Sequence, residues 1–240
     1  GWVVAERLDG SEEDLQVEGS IGKLFTTEAA DRAANDCLQA LGGYGYIREF
    51  GVEKIKRDVK ITCIYEGTSE IQQSIISTFR WKSSRKSKGA FYGRLAEEME
   101  RLGAEVPDAG CHFYALAAQA LNRTIDLAHN NRLTRQQTIM FALADMMTYV
   151  EVGLAMARKA VKLTQAQATD AEKYRAMARV FAGEVTQLVG ENALKIATSG
   201  DLTAAAAQQH LAEIAYTEML AGRTNWTKDM DRIADIIFER

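Results

Sequence analysis

Proline occurs once in this 240-residue chain, at Pro107. Proline lacks a backbone donor and clashes inside helices, so its near absence leaves long stretches free to be helical. The frequent residues are alanine, leucine, glutamate, lysine, arginine and methionine, all good helix formers. With 47% hydrophobic residues there is ample material for a core. The expectation is an all-α protein: an up-and-down helical bundle followed by a second one, large enough for two domains.

Other features narrow the function. The formal net charge is -4, which gives no nucleic-acid signal. Cys37, Cys63 and Cys111 are far apart and form no CxxC, which argues against a disulfide framework and a zinc site and fits a reducing compartment. His112, His129 and His210 are isolated, so no metal site is expected. No apolar run reaches the roughly 18 residues of a membrane span. The opening GWVVAERLDG has neither a signal-peptide pattern nor an initiator methionine, and reads as the cut end of a longer chain.

Along the chain, Ser11 to Asp14 read as a helix start. Ile21, Leu24, Phe25, Ala29, Ala33, Cys37 and Leu41 then recur at helical steps, up to a glycine-rich corner, GGYGY. Val52 to Lys60 is a shorter helix, and ITCIYEG an extended or loosely helical buried connector. Thr68 or Ser69 starts the next helix, with Ser69 and Gln72 as a capping box, running to about Trp81. The polar stretch RWKSSRKSKG carries Arg80, Lys82, Arg85, Lys86 and Lys88. Such stretches are ordinarily solvated linkers; the alternative is a patch that meets anionic lipid or phosphate.

The expected division is residues 1–81 as one helical domain, 82–110 as a basic linker, and 111–240 as a second helical domain. Four apolar stripes mark the latter. They run from Phe113 to Leu127, Met140 to Val161, Met177 to Leu194, and Leu211 to Leu220, with Asp201 to Thr203 separating the last two. The methionines at helical spacing read as core rather than as a soft binding face.

The stretch KITCIYEGTSEIQ sets Glu66 between bulky apolar residues and a glycine. Burial beside Ile64 and Tyr65 would raise a carboxylate's pKa towards that of a general base, and Gly67 would let a ligand approach the backbone. A glutamate that caps or pairs near a helix start fits the same composition, and composition alone favours that reading.

The longer pattern adds to this. From Ser20 to about Ile76 the chain resembles the C-terminal helical domain of the acyl-CoA dehydrogenases. The resemblance rests on Lys23-Leu24-Phe25, QALGGYGY from Gln39 to Tyr46, Arg57-Asp58, and IYEGTSEIQ at the expected separation. It implies an FAD-dependent enzyme that oxidises a fatty acyl-CoA to the trans-2-enoyl-CoA in fatty acid β-oxidation. Glu66 would be the base, with the backbone N–H of Glu66 and a flavin ribityl hydroxyl facing the thioester oxygen. Tyr65 and Gly67 would contact substrate. Thr68, Ser69 and Glu70 would touch the FAD, and Gln39, Ala40, Leu41, Gly42 and Gly43 the FAD of a neighbouring subunit. A homodimer and an electron-transferring flavoprotein as electron acceptor are implied too.

The family's β-domain has no counterpart here, so the resemblance implies a C-terminal portion that binds FAD weakly or not at all alone. The chain also runs on well past IYEGTSEIQ. This resembles the very-long-chain acyl-CoA dehydrogenases, whose extra helical domain is linked to dimer packing and membrane association. Residues 80–88 would be the membrane contact, in a bacterial cytoplasm or mitochondrial matrix. Two other readings stand beside this one: a non-catalytic helical module that docks partners or membranes, and an acyl-CoA oxidase that passes electrons to oxygen.

Overall fold

The structure is a computed structural model that describes residues 14–200 and 202–239. Among these residues there is no strand; helices and short 3-10 turns account for the regular structure. The chain divides into two units, Gly1–Thr78 and Phe79–Arg240.

The first unit is built on helix α1, Gln16–Leu41. Asp14 Oδ1 accepts the Gln16 N–H at 3.0 Å, satisfying one free donor of the first turn. The other residues expected to start this helix, Ser11 among them, lie outside the described residues. Ile21 and Leu24 are buried, whereas Ala33, Cys37 and Leu41 at the far end of the same stripe are exposed. The chain then folds back. Gly42 closes α1 with φ +57°, and α2, Gly43–Tyr46, follows at once. A side chain at buried Gly45 would place Cβ 2.5 Å from the Leu38 carbonyl oxygen, so only glycine permits this return. A 3-10 turn, Arg48–Phe50, leads to α3, Val52–Lys60. Lys56 reaches back to Asp31 of α1 at 2.7 Å, and this hydrogen bond holds the Asp31 carboxyl below its usual range.

Two expectations here need correction. ITCIYEG is neither extended nor buried as a whole: Ile61–Cys63 form a 3-10 turn, Cys63 is buried, and Ile61, Ile64 and Tyr65 are exposed. The capping box of Ser69 and Gln72 does not form either. Thr68 Oγ1 accepts the Ile71 N–H at 3.3 Å, while Ser69 and Gln72 turn to other partners.

Helix α4 runs Ser69–Lys86, past the expected stop at Trp81, and its residues from Phe79 onward belong to the second unit. The stretch expected to be a basic linker is therefore mostly helical. It holds the end of α4, a turn at Gly89, α5 (Ala90–Glu105) and the 3-10 turn Pro107–Ala109. The cause is specific pairing. Buried Arg80 makes a two-pronged ion pair with Glu151 at 2.7 and 2.8 Å. Tyr92 donates to the same carboxylate at 3.1 Å. Arg85 pairs with Asp126, and Asn122 donates to the Gly89 carbonyl at 3.0 Å.

The second unit continues with α6 (Cys111–Asn130), α7 (Gln137–Gln165) and α8 (Ala171–Ala197). Helix α8 packs against both α6 and α7, and α5 packs on α6. Leu143, Met147, Val150 and Leu154 of the α7 stripe are buried, as a core role requires. On α8 the buried face keeps Val185 and Val189 of the expected stripe and is otherwise rotated from it. Ala178, Ala182, Val185, Val189 and Ala193 are buried, while Met177 and Val180 are half-buried and Leu194 is exposed. A helix with neighbours on several sides turns its small residues inward, because they allow close backbone approach.

Helix α7 is long and apolar enough, by length and composition, to cross a membrane, which the sequence reading did not anticipate. Its most apolar stretch is 56% buried within the protein, as in a core helix. The fourth expected helix is broken. It comprises α9 (Ala204–Glu213), a left-handed Ala215, α10 (Tyr216–Met219) and a 3-10 turn to Arg223. Thr203 caps α9, accepting the Ala206 N–H at 3.2 Å; Asp201 lies outside the described residues. Helix α11, Trp226–Ile237, lies along α8, held by Arg179 to Asp229 and Arg232 to Glu172, both at 2.6 Å.

Two outcomes follow from these contacts. Glu151→Ala leaves the Arg80 guanidinium buried without its carboxylate and lowers stability by about 3 kcal/mol in urea unfolding. Lys86→Ala, on an exposed site, stays within about 0.5 kcal/mol. The second concerns His210, buried with Nε2 3.1 Å from Thr124 Oγ1. The Thr124 hydroxyl donates to the Ala120 carbonyl at 2.8 Å, so the ring nitrogen is the donor. Burial lowers the His210 pKa from 6.5. The unfolded chain then binds the extra proton more readily, and stability rises with pH. Between about pH 7 and 5 the thermal midpoint should fall, and His210→Gln should flatten that slope.

Candidate functional site

The loop from Ile64 to Thr68 joins the 3-10 turn at Cys63 to the start of α4. Its backbone is unusual. Glu66 has φ +53° and Gly67 φ +86°, both left-handed. Glutamate pays about 1 kcal/mol or more for this conformation, so such a residue persists only where its surroundings fix it. The Ile64 and Tyr65 N–H groups both donate to the Ile61 carbonyl, at 2.9 and 3.0 Å. The Glu66 N–H makes no hydrogen bond among the described residues, so it is free to point at a ligand.

Three side chains hold the loop. Lys23 Nζ donates to the Gly67 carbonyl at 2.6 Å. Gln72 Nε2 lies 3.3 Å from the same oxygen and 3.4 Å from the Glu66 carbonyl. Ser69 Oγ donates to Glu28 Oε1 at 2.5 Å. Thr68, besides capping α4, hydrogen-bonds Glu70 and holds that carboxyl below its usual range. Local sequence reasoning assigned no role to Lys23 and Glu28, and took Gln72 only as the capping-box partner of Ser69. The only signal for the first was its place in the quoted Lys23-Leu24-Phe25.

The expected burial of Glu66 is not found. Glu66 is exposed, as are Ile64 and Tyr65, the latter at 53%.

The structure brings Tyr65, Glu66, Gly67, Thr68, Ser69 and Glu70 together against α1. It does not bring Gln39, Ala40, Leu41, Gly42 and Gly43 to them. The loop meets α1 at Lys23 and Glu28, whereas Gln39, Ala40 and Leu41 form its far end, roughly 16 to 27 Å along the axis at 1.5 Å per residue, and Gly42 and Gly43 follow. All five are exposed, and a Cβ added at Gly42 or Gly43 meets nothing within 4 Å. Beside them, the Tyr44 and Phe50 rings meet at a tilt with centroids 4.9 Å apart, and Tyr46 is 82% exposed. Leu41, Ile47 and Phe50 beside this corner are exposed as well. Among the described residues no cluster of His, Cys, Asp and Glu could hold a metal ion.

The loop geometry makes a separable prediction. A Cβ at Gly67 would lie 2.7 Å from Gln72 Nε2 on a left-handed backbone, so Gly67→Ala should lower stability by about 1–2 kcal/mol. Glu66→Gly relieves left-handed strain and should leave the thermal midpoint unchanged or slightly raised. Thermal unfolding of the two variants checks both.

Comparison with known proteins places this geometry in a family. The family model for the acyl-CoA dehydrogenase C-terminal domain matches residues 1–79 and 97–234. A 3-(aryl)acrylate reductase of Clostridium sporogenes is 47% identical over 66 residues, covering 28% of this chain and 18% of the relative. The mitochondrial very long-chain specific acyl-CoA dehydrogenase of Homo sapiens is 27% identical over 161 residues, covering 67% of this chain and 25% of the relative. A crystal structure of an acyl-CoA dehydrogenase complexed with FAD from Bacillus anthracis superimposes with a TM-score of 0.74 at 20% identity, covering 93% of this chain and 39% of that one. The chain thus spans a quarter or less of these two curated relatives. The chain belongs to the acyl-CoA dehydrogenase family, through that family's C-terminal domain.

Proposed function

We propose that this chain is the C-terminal portion of an FAD-dependent dehydrogenase that converts a fatty acyl-CoA to the trans-2-enoyl-CoA, with Glu66 as the base. The observation that carries the reading is the left-handed backbone at Glu66, in a loop held from α1, with its N–H unpaired.

The residues suit the flavin. Gly42 and Gly43 offer an open backbone without side chains, and Thr68 and Ser69 place hydroxyls at the start of α4. When bound, FAD supplies the hydride acceptor for the β-hydrogen. The Glu66 carboxylate takes the α-proton as that hydride leaves, and the α,β-double bond forms from the C–H pair. Negative charge that develops on the thioester oxygen is met by the Glu66 N–H, a fixed dipole aimed where charge appears. Gly67 would adjoin the acyl group through its backbone, its missing side chain leaving room for Gln72. Glu66 is exposed within this chain, so the desolvation that tunes a base comes from the substrate, the flavin and the parts that cover the loop. The relative named for acrylate reduction concerns the same α,β carbon–carbon bond, so the shared feature is that bond rather than one acyl group.

The separation along α1 favours a site shared between subunits. One end of the helix would serve one flavin and the other end a second, which fits a homodimer. An electron-transferring flavoprotein would then reoxidise the reduced cofactor. In residues 80–88, Arg80 and Arg85 are committed to ion pairs. A contact with an anionic membrane surface would therefore rest on exposed Lys82, Lys86 and Lys88, at about 1 kcal/mol each.

The test is acyl-CoA-dependent dye reduction by the full-length enzyme, wild type against Glu66→Gln. Activity should fall by several orders of magnitude while the flavin stays bound. Full activity in the variant would remove Glu66 as the base.

A further inference from the structure

We propose that Lys23 and Glu28 of α1 are positioning residues that set the orientation of Glu66, an inference that rests on the catalytic reading above. The loop has little backbone support at Glu66 and Gly67. Glu66 and Gly67 are both left-handed, and the Glu66 N–H has no hydrogen bond among the described residues. A loop so placed samples other conformations unless it is fixed from outside.

Lys23 fixes it at one point. Its ammonium donates to the Gly67 carbonyl at 2.6 Å, a charge-assisted bond to a neutral acceptor. Gln72 shares that oxygen at 3.3 Å, so the Gly67–Thr68 peptide is held from both sides. Glu28 fixes the other edge. It accepts the Ser69 hydroxyl at 2.5 Å, two residues beyond Gly67. With its proton committed to Glu28, the Ser69 oxygen can offer a neighbouring ligand only its lone pairs. Glu28 therefore sets the hydrogen-bonding sense of Ser69 as well as its place. Both residues are half-buried on a 26-residue helix, a rigid base for the clamp. Neither is part of the loop, so neither needs to touch a reacting atom.

Positioning errors are costly in catalysis: a shift of about 1 Å can reduce turnover about 100-fold. The test uses the full-length enzyme with Lys23→Met, Lys23→Arg and Glu66→Gln. Lys23→Met should lower kcat by about 10- to 100-fold with KM within about 2-fold, as expected when ground-state binding is untouched. Lys23→Arg should recover most of that loss. Amide hydrogen exchange at Gly67 and Thr68 should speed up in Lys23→Met while the rest of α1 keeps its protection. In a Glu66→Gln background the loss caused by Lys23→Met should be smaller than in wild type, because the oriented carboxylate is gone and only the backbone N–H remains.

An unchanged kcat in Lys23→Met overturns the positioning role. So does an equal loss in the Glu66→Gln background, or a loss that tracks lowered thermal stability or lost flavin. If Lys23→Met does not fold, Glu28→Ala against Glu28→Gln makes the same comparison, since the amide oxygen still accepts from Ser69. Full activity in Glu66→Gln would instead sink the catalytic reading, and the exchange data would still show whether Lys23 holds the loop.

Discussion

The site depends on one backbone conformation that its residue does not favour. Glu66 stands at φ +53°, where L-residues other than glycine pay about 1 kcal/mol or more. A glycine there would fold more easily but would carry no carboxylate. The conformation is tolerated because α1 supplies compensating hydrogen bonds from Lys23 and Glu28, and α4 supplies Gln72. The architecture of the first unit serves this arrangement. The fold-back at Gly42 and Gly45 sends the chain along α1 in the opposite direction, the Lys56 to Asp31 pair holds α3 there, and the loop arrives beside the residues that hold it.

Much of this was legible in the sequence, and the failures have physical causes. The single proline and the helical stripes gave the fold class, and the α7 stripe from Leu143 to Leu154 is buried as read. The linker reading failed because Arg80 and Arg85 have carboxylate partners more than forty residues away, at Glu151 and Asp126, which local composition does not reveal. The rotated face of α8 arose because alanine and glycine carry little hydrophobic signal yet make the closest contacts. At the site, the motif around Glu66 was readable as a pattern. Its left-handed backbone was not, since glutamate gives no local hint of it. Burial of Glu66 was inferred from apolar neighbours in sequence, but Ile64 and Tyr65 themselves face outward.

Helices α1 and α8 share a few residue types at matching positions. Set side by side without gaps, Lys23 to Leu41 and Arg179 to Ala197 share phenylalanine at 25 and 181, glutamate at 28 and 184, and leucine at 38 and 194. The basic residue opening each segment reaches a backbone carbonyl, Gly67 for Lys23 and Asp108 for Arg179, the latter at 2.8 Å. The family model matches both stretches. After α8, however, the chain reads Thr198-Ser199-Gly200 where α1 is followed by Gly42-Gly43-Tyr44, and the helix packed along α8 carries Asp229 against Arg179. The Gly42-Gly43 pair has no counterpart directly after α8.

The distance between the two ends of α1 has a genetic meaning. On the proposed reading, each active centre draws its loop from one chain and its glycine corner from another. An allele damaged at the loop and an allele damaged at the corner would then be complementary. In a mixed dimer one centre inherits both lesions and the other inherits neither. Two individually inactive alleles, expressed together, would restore part of the activity, whereas two loop alleles would restore none. A corner lesion disables the centre of its partner rather than its own, yet in a mixed dimer with wild type one centre stays intact, as it does for a loop lesion.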